Sequence, residues 1–170
     1  MCHDRQHGAE FFWSAESGWL SRVFATDLNA MKIVVSACLL GEDCRYDGGS
    51  NRCQRVIDFV KGHEVTAVCP ERMGGLPTPR VPAEICCGKV VNAEGVCVDE
   101  CFRKGAQEAL KTALERGVEM AILQPRSPSC GCRQVYDGTF SRTLIPGQGV
   151  FAKLLSEHGV KVLEPEELGE

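Results

Sequence analysis

The sequence lacks the long apolar run of a membrane-spanning helix, because no stretch approaches the ~18–20 consecutive apolar residues that such a helix needs. It also lacks a marked excess of either charge: 19 Lys and Arg stand against 23 Asp and Glu, and the net charge is −4. Because the basic residues are scattered, they create no field that would attract a polyanion. The sequence therefore favours neither a membrane protein nor a general nucleic-acid-binding protein.

Cysteine is abundant, with 11 residues, yet no two cysteines have the Cys-x-x-Cys spacing of common structural zinc sites. The count is odd, 170 residues is long for a disulfide scaffold, and the first thirty residues contain no export signal. We therefore expect a reduced, cytoplasmic protein. In that setting clustered thiols act as metal or cluster ligands, redox groups or nucleophiles, and buried packing is the ordinary alternative for each single cysteine.

Tryptophan is absent from most of the chain, since Trp13 and Trp19 both lie before Met31. At Met31 the composition changes abruptly to a β-branched run, KIVVS. We therefore predict that residues 1–30 are an N-terminal extension, with Met31 as a second possible start, and that residues 31–170 form one domain. A packed amphipathic helix is the alternative for residues 1–30. A chain of this length can bury about two-thirds of its surface without a metal or disulfide.

From Met31 onward, short β-branched runs alternate with helical stretches, a pattern typical of βα units. The predicted strands are 32–36, 64–68, 118–123 and 160–163, and the predicted helices are 51–61, 99–116 and 150–157. A small β-hairpin is predicted between residues 89 and 98. The predicted fold class is α/β: a single domain with a mainly parallel, Rossmann-like sheet and flanking helices.

A cysteine follows each of the first three predicted strands: Cys38, Cys69 and Cys130. The loops at the carboxyl ends of parallel strands converge on one crevice, so we expect these thiols to meet there. Three thiolates without a neighbouring histidine favour zinc or an iron–sulfur cluster. Because three ligands leave one position open for water or a substrate atom, the arrangement favours catalysis over a structural role.

Two further cysteines, Cys44 and Cys132, are candidates for a fourth ligand or a resolving thiol. Cys44 lies in the loop that follows Cys38, and Cys132 lies two residues after Cys130. A fourth thiolate would close the site and give a structural or sensor module without turnover. A third hypothesis is a thiol-dependent transferase with a cysteine nucleophile, which would work without metal.

Two similar segments, CRYDG at 44–48 and CRQVYDG at 132–138, contain the only two tyrosines of the sequence. Asp-Gly forms turns, and a tyrosine can pack its ring while its hydroxyl stays available. The residues that we expect to line the crevice and bind a polar substrate are Tyr46, Asp47, Tyr136 and Asp137. The alternative interpretation is that both segments merely close loops.

Three other side chains lie beside the candidate ligands. Ser129 precedes Cys130 and Glu71 follows Cys69 by two residues, so both are candidates for proton handling. Arg80, in a proline-rich loop, is a candidate for holding an anionic or carbonyl oxygen of the substrate. The alternatives are a turn serine, a surface glutamate and an arginine that ties loop carbonyls together.

Three groups of segments occur in order along the chain: 36–41 (SACLLG) with 45–48 (RYDG), 69–71 (CPE) with 74–80 (GGLPTPR), and 127–131 (SPSCG) with 136–140 (YDGTF). Together they resemble family 523 of the domains of unknown function, which includes the thiouracil desulfidases. The resemblance extends from Met31 to the C-terminus, and residues 1–30 have no counterpart in it.

The resemblance implies a 4Fe–4S cluster held by three cysteines, which carry over by motif to Cys38, Cys69 and Cys130. It further implies that the fourth iron is free to take the sulfur of a thiolated pyrimidine such as 2-thiouracil, which is converted to uracil and sulfide without net redox change. The expected partner is thus a small thiolated nucleobase. Ser129 and Glu71 are then the expected proton-handling pair.

Overall fold

Four parallel strands form the centre of the structure, a computed structural model that describes residues 30–169. The strands of the chain are β1 (Lys32–Ser36), β2 (Glu64–Val68), β3 (Ala83–Cys86), β4 (Lys89–Asn92), β5 (Met120–Ile122), β6 (Gln134–Tyr136), β7 (Leu144–Pro146) and β8 (Lys161–Leu163). The central sheet has the order β2-β1-β5-β8, and the pairs β3-β4 and β6-β7 are antiparallel. The predicted α/β class with a mainly parallel sheet is confirmed.

Helices cover both faces of this sheet. They are α1 (Gln54–Phe59), α2 (Pro70–Met73), α3 (Asp99–Glu115) and α4 (Val150–Glu157), with 3-10 helices at Ala37–Leu40 and Pro165–Glu167. One core cluster lies between the sheet and the apolar faces of α3 and α4, and another lies beneath α1 and the first 3-10 helix. β1 is buried on both faces, as expected for a central parallel strand. Within residues 30–169, no helix has both the length and the apolar composition required to span a membrane.

On the side that does not pair with β3, β4 forms an antiparallel bridge between Val91 and Cys97, with backbone hydrogen bonds of 2.9 Å from Asn92 to Val96 and from Val98 to Val90. The small hairpin predicted within 89–98 is therefore present, and the β3–β4 hairpin is an addition that was not predicted. The predicted extension, apart from Ala30, lies outside the described residues.

Two glycines allow α2 to lie directly against the backbone of α3. A Cβ atom at Gly105 would stand 1.8 Å from the carbonyl oxygen of Pro70, and one at Gly74 would stand 2.0 Å from that of Cys101. Only hydrogen fits at such distances. Because Cys69 and Glu71 lie at the start of α2, this contact helps to fix the position of both side chains.

We predict that Gly105→Ala destabilises the protein by about 3 kcal/mol, toward the upper end of the range for overpacking, because the added methyl meets backbone that cannot rotate away. Urea unfolding of the cluster-free, reduced protein measures the effect. Gly169→Ala is the matched control, since no atom lies within 4 Å of its added Cβ. Equal unfolding midpoints for the two variants would contradict the close packing of α2 on α3.

Candidate active site

The carboxyl ends of β1, β2 and β5 lead into one cavity of about 490 Å³. Cys38 reaches it from the 3-10 helix after β1, Cys69 from the position that caps α2, and Cys130 from the loop after β5. The structure thus brings the three predicted ligands to the wall of a single cavity. Their convergence follows from the parallel sheet, since all three loops leave the same edge.

Hydrogen bonds fix the segments that carry two of these thiols. The hydroxyl of Ser127 accepts bonds from the backbone N–H groups of Ser129 and Cys130, both at 3.1 Å. The next residue, Gly131, has no room for a Cβ, which would lie 2.8 Å from the carbonyl oxygen of Gln134. On the other side of the cavity, the side-chain amide of Asn51 donates to the sulfur of Cys38 at 3.8 Å.

A fourth thiol, that of Cys44, lies among the predicted ligands. It lines the same cavity, is only 2% exposed, and its backbone carbonyl oxygen accepts from the Cys69 thiol at 3.9 Å. Interaction with the Cys38 thiol is the main cause that raises the pKa of Cys44 to about 11. Cys132, the other candidate, does not line the cavity: it packs in the core, and its thiol donates to the carbonyl oxygen of Cys130 at 3.4 Å.

Two of the thiols that line the site have raised pKa values. Interaction with the Cys44 thiol, together with burial, raises the pKa of Cys69 far above its usual range. Burial has the same effect on the pKa of Cys130. A metal that bound these two sulfurs would displace protons from them, so its apparent affinity would rise with pH.

The residues fit an iron–sulfur cluster better than a single metal ion. In the described part of the chain, no three histidine, cysteine or carboxylate side chains are grouped so as to hold one ion. A cluster makes a different demand, because each thiolate binds its own iron and the thiols surround a volume rather than a point. Cys38, Cys69 and Cys130 meet that demand, since they occupy the ends of three different strands around one cavity.

Glu71 and Arg80 form a buried ion pair at the cavity, with the Arg80 side chain 8% and the Glu71 side chain 15% exposed. The Nε–H of Arg80 donates to Oε2 of Glu71 at 2.7 Å. Three further N–H groups donate to the Cys44 and Pro77 carbonyl oxygens and to the Thr78 hydroxyl. All three nitrogens of the guanidinium are thus engaged by the protein itself. Arg80 therefore positions Glu71 and the surrounding loops.

In both Tyr-Asp-Gly segments the tyrosine and the aspartate have different positions relative to the cavity. Both tyrosines, Tyr46 and Tyr136, line the cavity, whereas neither aspartate does. Asp47 accepts from the backbone N–H of Gly49 at 3.1 Å, and this bond is the main cause that lowers its pKa. Asp137 accepts from the hydroxyl and backbone N–H of Thr139, which lower its pKa. The aspartates close turns, and the tyrosines face the cavity.

Ser129 does not reach the cavity. Its side chain is fully buried, and its hydroxyl is the one buried side-chain polar atom without a hydrogen-bond partner among residues 30–169. Its carbonyl oxygen accepts bonds from the start of α4, at Phe151 and Ala152. Ser127, two residues earlier, lines the cavity instead.

The sequence reasoning did not single out several cavity residues. Glu84 is buried in the wall, where its carboxylate accepts from the backbone N–H groups of Gly138 and Phe140, both at 3.0 Å. Arg126 and Arg142 also line the cavity, and neither has an ion-pair partner in the described part of the chain. Arg126, Phe140 and Arg142 all have φ near +60°. Phe140 ends the family segment 136–140, whereas no sequence pattern distinguishes Glu84, Arg126 and Arg142 from ordinary loop residues.

Comparison with known proteins now identifies the family. The family model described as 2-thiouracil desulfurase matches residues 33–167. The chain belongs to the 2-thiouracil desulfurase family. It is 39% identical over 148 residues to the uncharacterized protein YbbK of Bacillus subtilis strain 168, which spans 81% of this chain and 98% of that protein. A solved structure, the 4Fe–4S-dependent thiouracil desulfidase TudS, is 41% identical with a TM-score of 0.77, covering 81% of this chain and 93% of TudS.

We predict that Arg80→Lys in this desulfurase-family chain lowers the free energy of unfolding by about 3 kcal/mol, because lysine leaves most of the buried partners of the guanidinium unsatisfied. Chemical denaturation of the cluster-free protein measures the loss. The control is Arg103→Lys, which changes an exposed pair with Asp99 that contributes at most about 1 kcal/mol. A loss no larger than the control's would show that the Arg80 network carries little of the stability of this site.

Proposed function

We propose that this chain is a 4Fe–4S-dependent desulfidase that removes sulfur from a thiolated pyrimidine such as 2-thiouracil, giving uracil and sulfide without net redox change. The observation that carries the proposal is the convergence of Cys38, Cys69 and Cys130 on one cavity that also contains a carboxylate and several free polar groups. Membership of the 2-thiouracil desulfurase family and the similarity to TudS support it. A cytoplasmic location fits ten described cysteines that are all free.

In this proposal Cys38, Cys69 and Cys130 hold the cluster. A bound cluster whose fourth iron has no motif cysteine supplies a soft Lewis acid for the thiocarbonyl sulfur and polarises the C=S bond. Attack of water on the polarised carbon then requires a group that accepts a proton from that water. The protein must also hold the ring and deliver a proton to the departing product.

Glu71 is the proton acceptor that the site offers. Its Oε2 is engaged by Arg80, but Oε1 has no hydrogen-bond partner among the described residues. Because the carboxylate lines the cavity and is held from behind, Oε1 is oriented for a water molecule that attacks a ring bound beside the thiols. Arg80 contributes by fixing that orientation.

Ser127 fits the second proton-handling role better than Ser129. Its oxygen already accepts two backbone N–H bonds, which leaves the hydroxyl hydrogen free to donate toward the cavity. The Ser129 hydroxyl is sealed behind the cavity wall. We therefore propose Glu71 and Ser127 as the pair that moves protons.

The pyrimidine ring would be held by cavity side chains whose polar groups make no hydrogen bond among the described residues. Tyr46 and Tyr136 offer aromatic faces and hydroxyls. Arg126 and Arg142 offer free guanidinium donors for a ring oxygen, the role that the sequence suggested for Arg80. The cavity of about 490 Å³ lies in the range of roughly 300–1,000 Å³ typical of small-molecule sites.

The alternative is a structural or sensor module in which four thiolates close the cluster and no turnover occurs. The position of Cys44 beside two of the proposed ligands favours this alternative. A polar cavity with a free carboxylate oxygen has no purpose in such a module, and this favours the enzyme.

We predict that anaerobic reconstitution with iron and sulfide loads about four irons per chain and that the loaded protein releases sulfide from 2-thiouracil. Cys38→Ala, Cys69→Ala and Cys130→Ala should each reduce both quantities to near zero, because two thiolates do not retain the cluster. Cys132→Ser is the matched control: it removes a buried thiol of the same loop that does not face the cavity. Full loading without sulfide release by the wild type would overturn the enzymatic proposal.

We further predict that Glu71→Gln keeps the cluster but lowers kcat for sulfide release by about 10²–10⁴-fold, since an amide cannot accept the proton from water. Iron per chain and the visible spectrum confirm that the cluster is intact. Glu42→Gln, an exposed carboxylate of the neighbouring loop, serves as the control. Wild-type kcat in Glu71→Gln would exclude Glu71 as the base.

A further inference from the structure

Part of the Arg-Tyr-Asp-Gly segment at 45–48 has no role in the proposed function, which uses only its tyrosine. Two of its side chains form an ion pair, in which Nη2 of Arg45 donates to Oδ2 of Asp47 at 2.7 Å. Asp47 does not line the cavity, so this pair is not a substrate contact. Arg45 does line the cavity, and the second partner of its guanidinium shows what the pair holds in place.

That second partner is the side-chain amide of Asn51, another residue that lines the cavity. Nη1 of Arg45 donates to Oδ1 of Asn51 at 2.5 Å, while Nη2 stays bound to Asp47. A guanidinium has donors but no acceptor, so it binds only the oxygen of the amide. The pair of Arg45 and Asp47 therefore fixes the orientation of the Asn51 amide and leaves its nitrogen free to donate elsewhere.

The nitrogen of that amide faces a proposed cluster ligand. Nδ2 of Asn51 donates to Sγ of Cys38 at 3.8 Å, and the backbone N–H of Asn51 donates to the carbonyl oxygen of Cys38 at 3.0 Å. The two residues are thus joined through both side chain and main chain. Within residues 30–169, Cys38 is the one proposed ligand whose sulfur accepts a hydrogen bond from a nitrogen atom.

An N–H donor that faces a ligating sulfur changes the electronic properties of an iron–sulfur cluster. Hydrogen bonds to the sulfurs stabilise negative charge and are among the factors that set the reduction potential. A thiolate accepts a stronger bond than a thiol, because hydrogen bonds to charged acceptors are the stronger ones. The same bond draws electron density from the sulfur, so the cluster becomes a stronger Lewis acid toward a thiocarbonyl group.

We propose that Asn51 is a positioning residue of the cluster, whose amide donates to the Cys38 thiolate while the ion pair of Arg45 and Asp47 fixes that amide in the donating orientation. The inference rests on the proposed function, in which Cys38 binds iron. Arg45 also lies over the ring of Tyr46, with 5.8 Å between its guanidinium carbon and the ring centroid. The same guanidinium therefore connects the support of a ligand to a tyrosine that holds the pyrimidine.

The reduction potential of the cluster in the reconstituted, full-length protein tests this inference, because it reports the charge on the cluster although desulfidation involves no redox change. Asn51→Ala removes the donor, and Asn51→Asp keeps the shape of the side chain but places a carboxylate oxygen there. We expect the reduction equilibrium constant to fall about tenfold in Asn51→Ala, about 59 mV for one electron, and further in Asn51→Asp. Asn92→Asp is the matched control, since it makes the same change of charge at a buried asparagine that does not line the cavity.

Arg45→Lys tests the orienting pair without a change of charge. An ammonium group lacks the planar fork that holds Asn51 and Asp47 together, so the potential should fall as in Asn51→Ala but by less. Arg52→Lys, at an exposed neighbour in the same loop, should keep the wild-type potential. In the Asn51 variants kcat for sulfide release from 2-thiouracil should fall severalfold, because the C=S bond is less polarised.

The outcomes separate this inference from the proposed function. Wild-type potentials in both Asn51 variants, or an equal shift in Asn92→Asp, would overturn the role of Asn51 but leave the desulfidase intact. Failure of the Asn51 variants to load four irons, together with a wild-type potential in Arg45→Lys, would show a role in cluster assembly alone and would also overturn it. A fully loaded wild type that shows the expected shifts but releases no sulfide would overturn the function and support the hydrogen bond to Cys38.

Discussion

The buried guanidinium of Arg80 is the constraint on which the geometry of the site depends. It joins the Cys44 carbonyl oxygen, in the loop after β1, to Glu71 in α2 and to the loop at Pro77 and Thr78. A buried ion pair is not a reliable source of net stability, because desolvation offsets much of the attraction. Here the ion pair serves to hold these groups in position. All three guanidinium nitrogens are engaged by the protein, and the second carboxylate oxygen of Glu71 is left free.

The thiols of the site relate folding to metal binding. Cys69 and Cys130 have pKa values raised by neighbouring thiols and by burial, so the folded chain presents them as neutral groups. The parallel sheet brings them together regardless of metal, because it depends on apolar packing of β1 and its neighbours. A cluster held by these thiols would therefore meet a site that folding has already assembled, and its binding would release protons rather than order the chain.

The sequence predicted the location of the cysteines because that location depends only on topology. A residue at the carboxyl end of a parallel strand lies at the ligand-binding edge of the sheet regardless of the direction of its side chain. The direction of a side chain within a loop depends on torsion angles that spacing does not reveal. Ser127 and Ser129 illustrate the difference, since they share one turn but only Ser127 lines the cavity.

The same limit explains why the sequence did not predict which arginines have free donors in the cavity. The loop position of Arg80 suggested a substrate ligand, yet its guanidinium binds other groups of the protein. No sequence pattern marks Arg126 and Arg142, whose left-handed backbone conformation is set only in the folded loops. The β3–β4 hairpin was not predicted for a comparable reason: its turn is at Cys87 and Gly88, and the first of these residues is not a typical turn former.

Two chemically different sets of residues line the cavity, and in the proposed function that difference matches a thiocarbonyl substrate. One set consists of soft sulfur donors from the ends of β1, β2 and β5. The other set includes Arg126, Phe140 and Arg142, each held at positive φ at a cost of about 1–2 kcal/mol. Folding tolerates that cost only where other contacts fix the loop, as Glu84 does by binding the N–H groups of Gly138 and Phe140. A thiolated pyrimidine also has two sides, a soft sulfur and hard ring oxygens and N–H groups. In the proposed function the strained residues would contact the ring, and the thiols at the strand ends would hold the group that binds the sulfur.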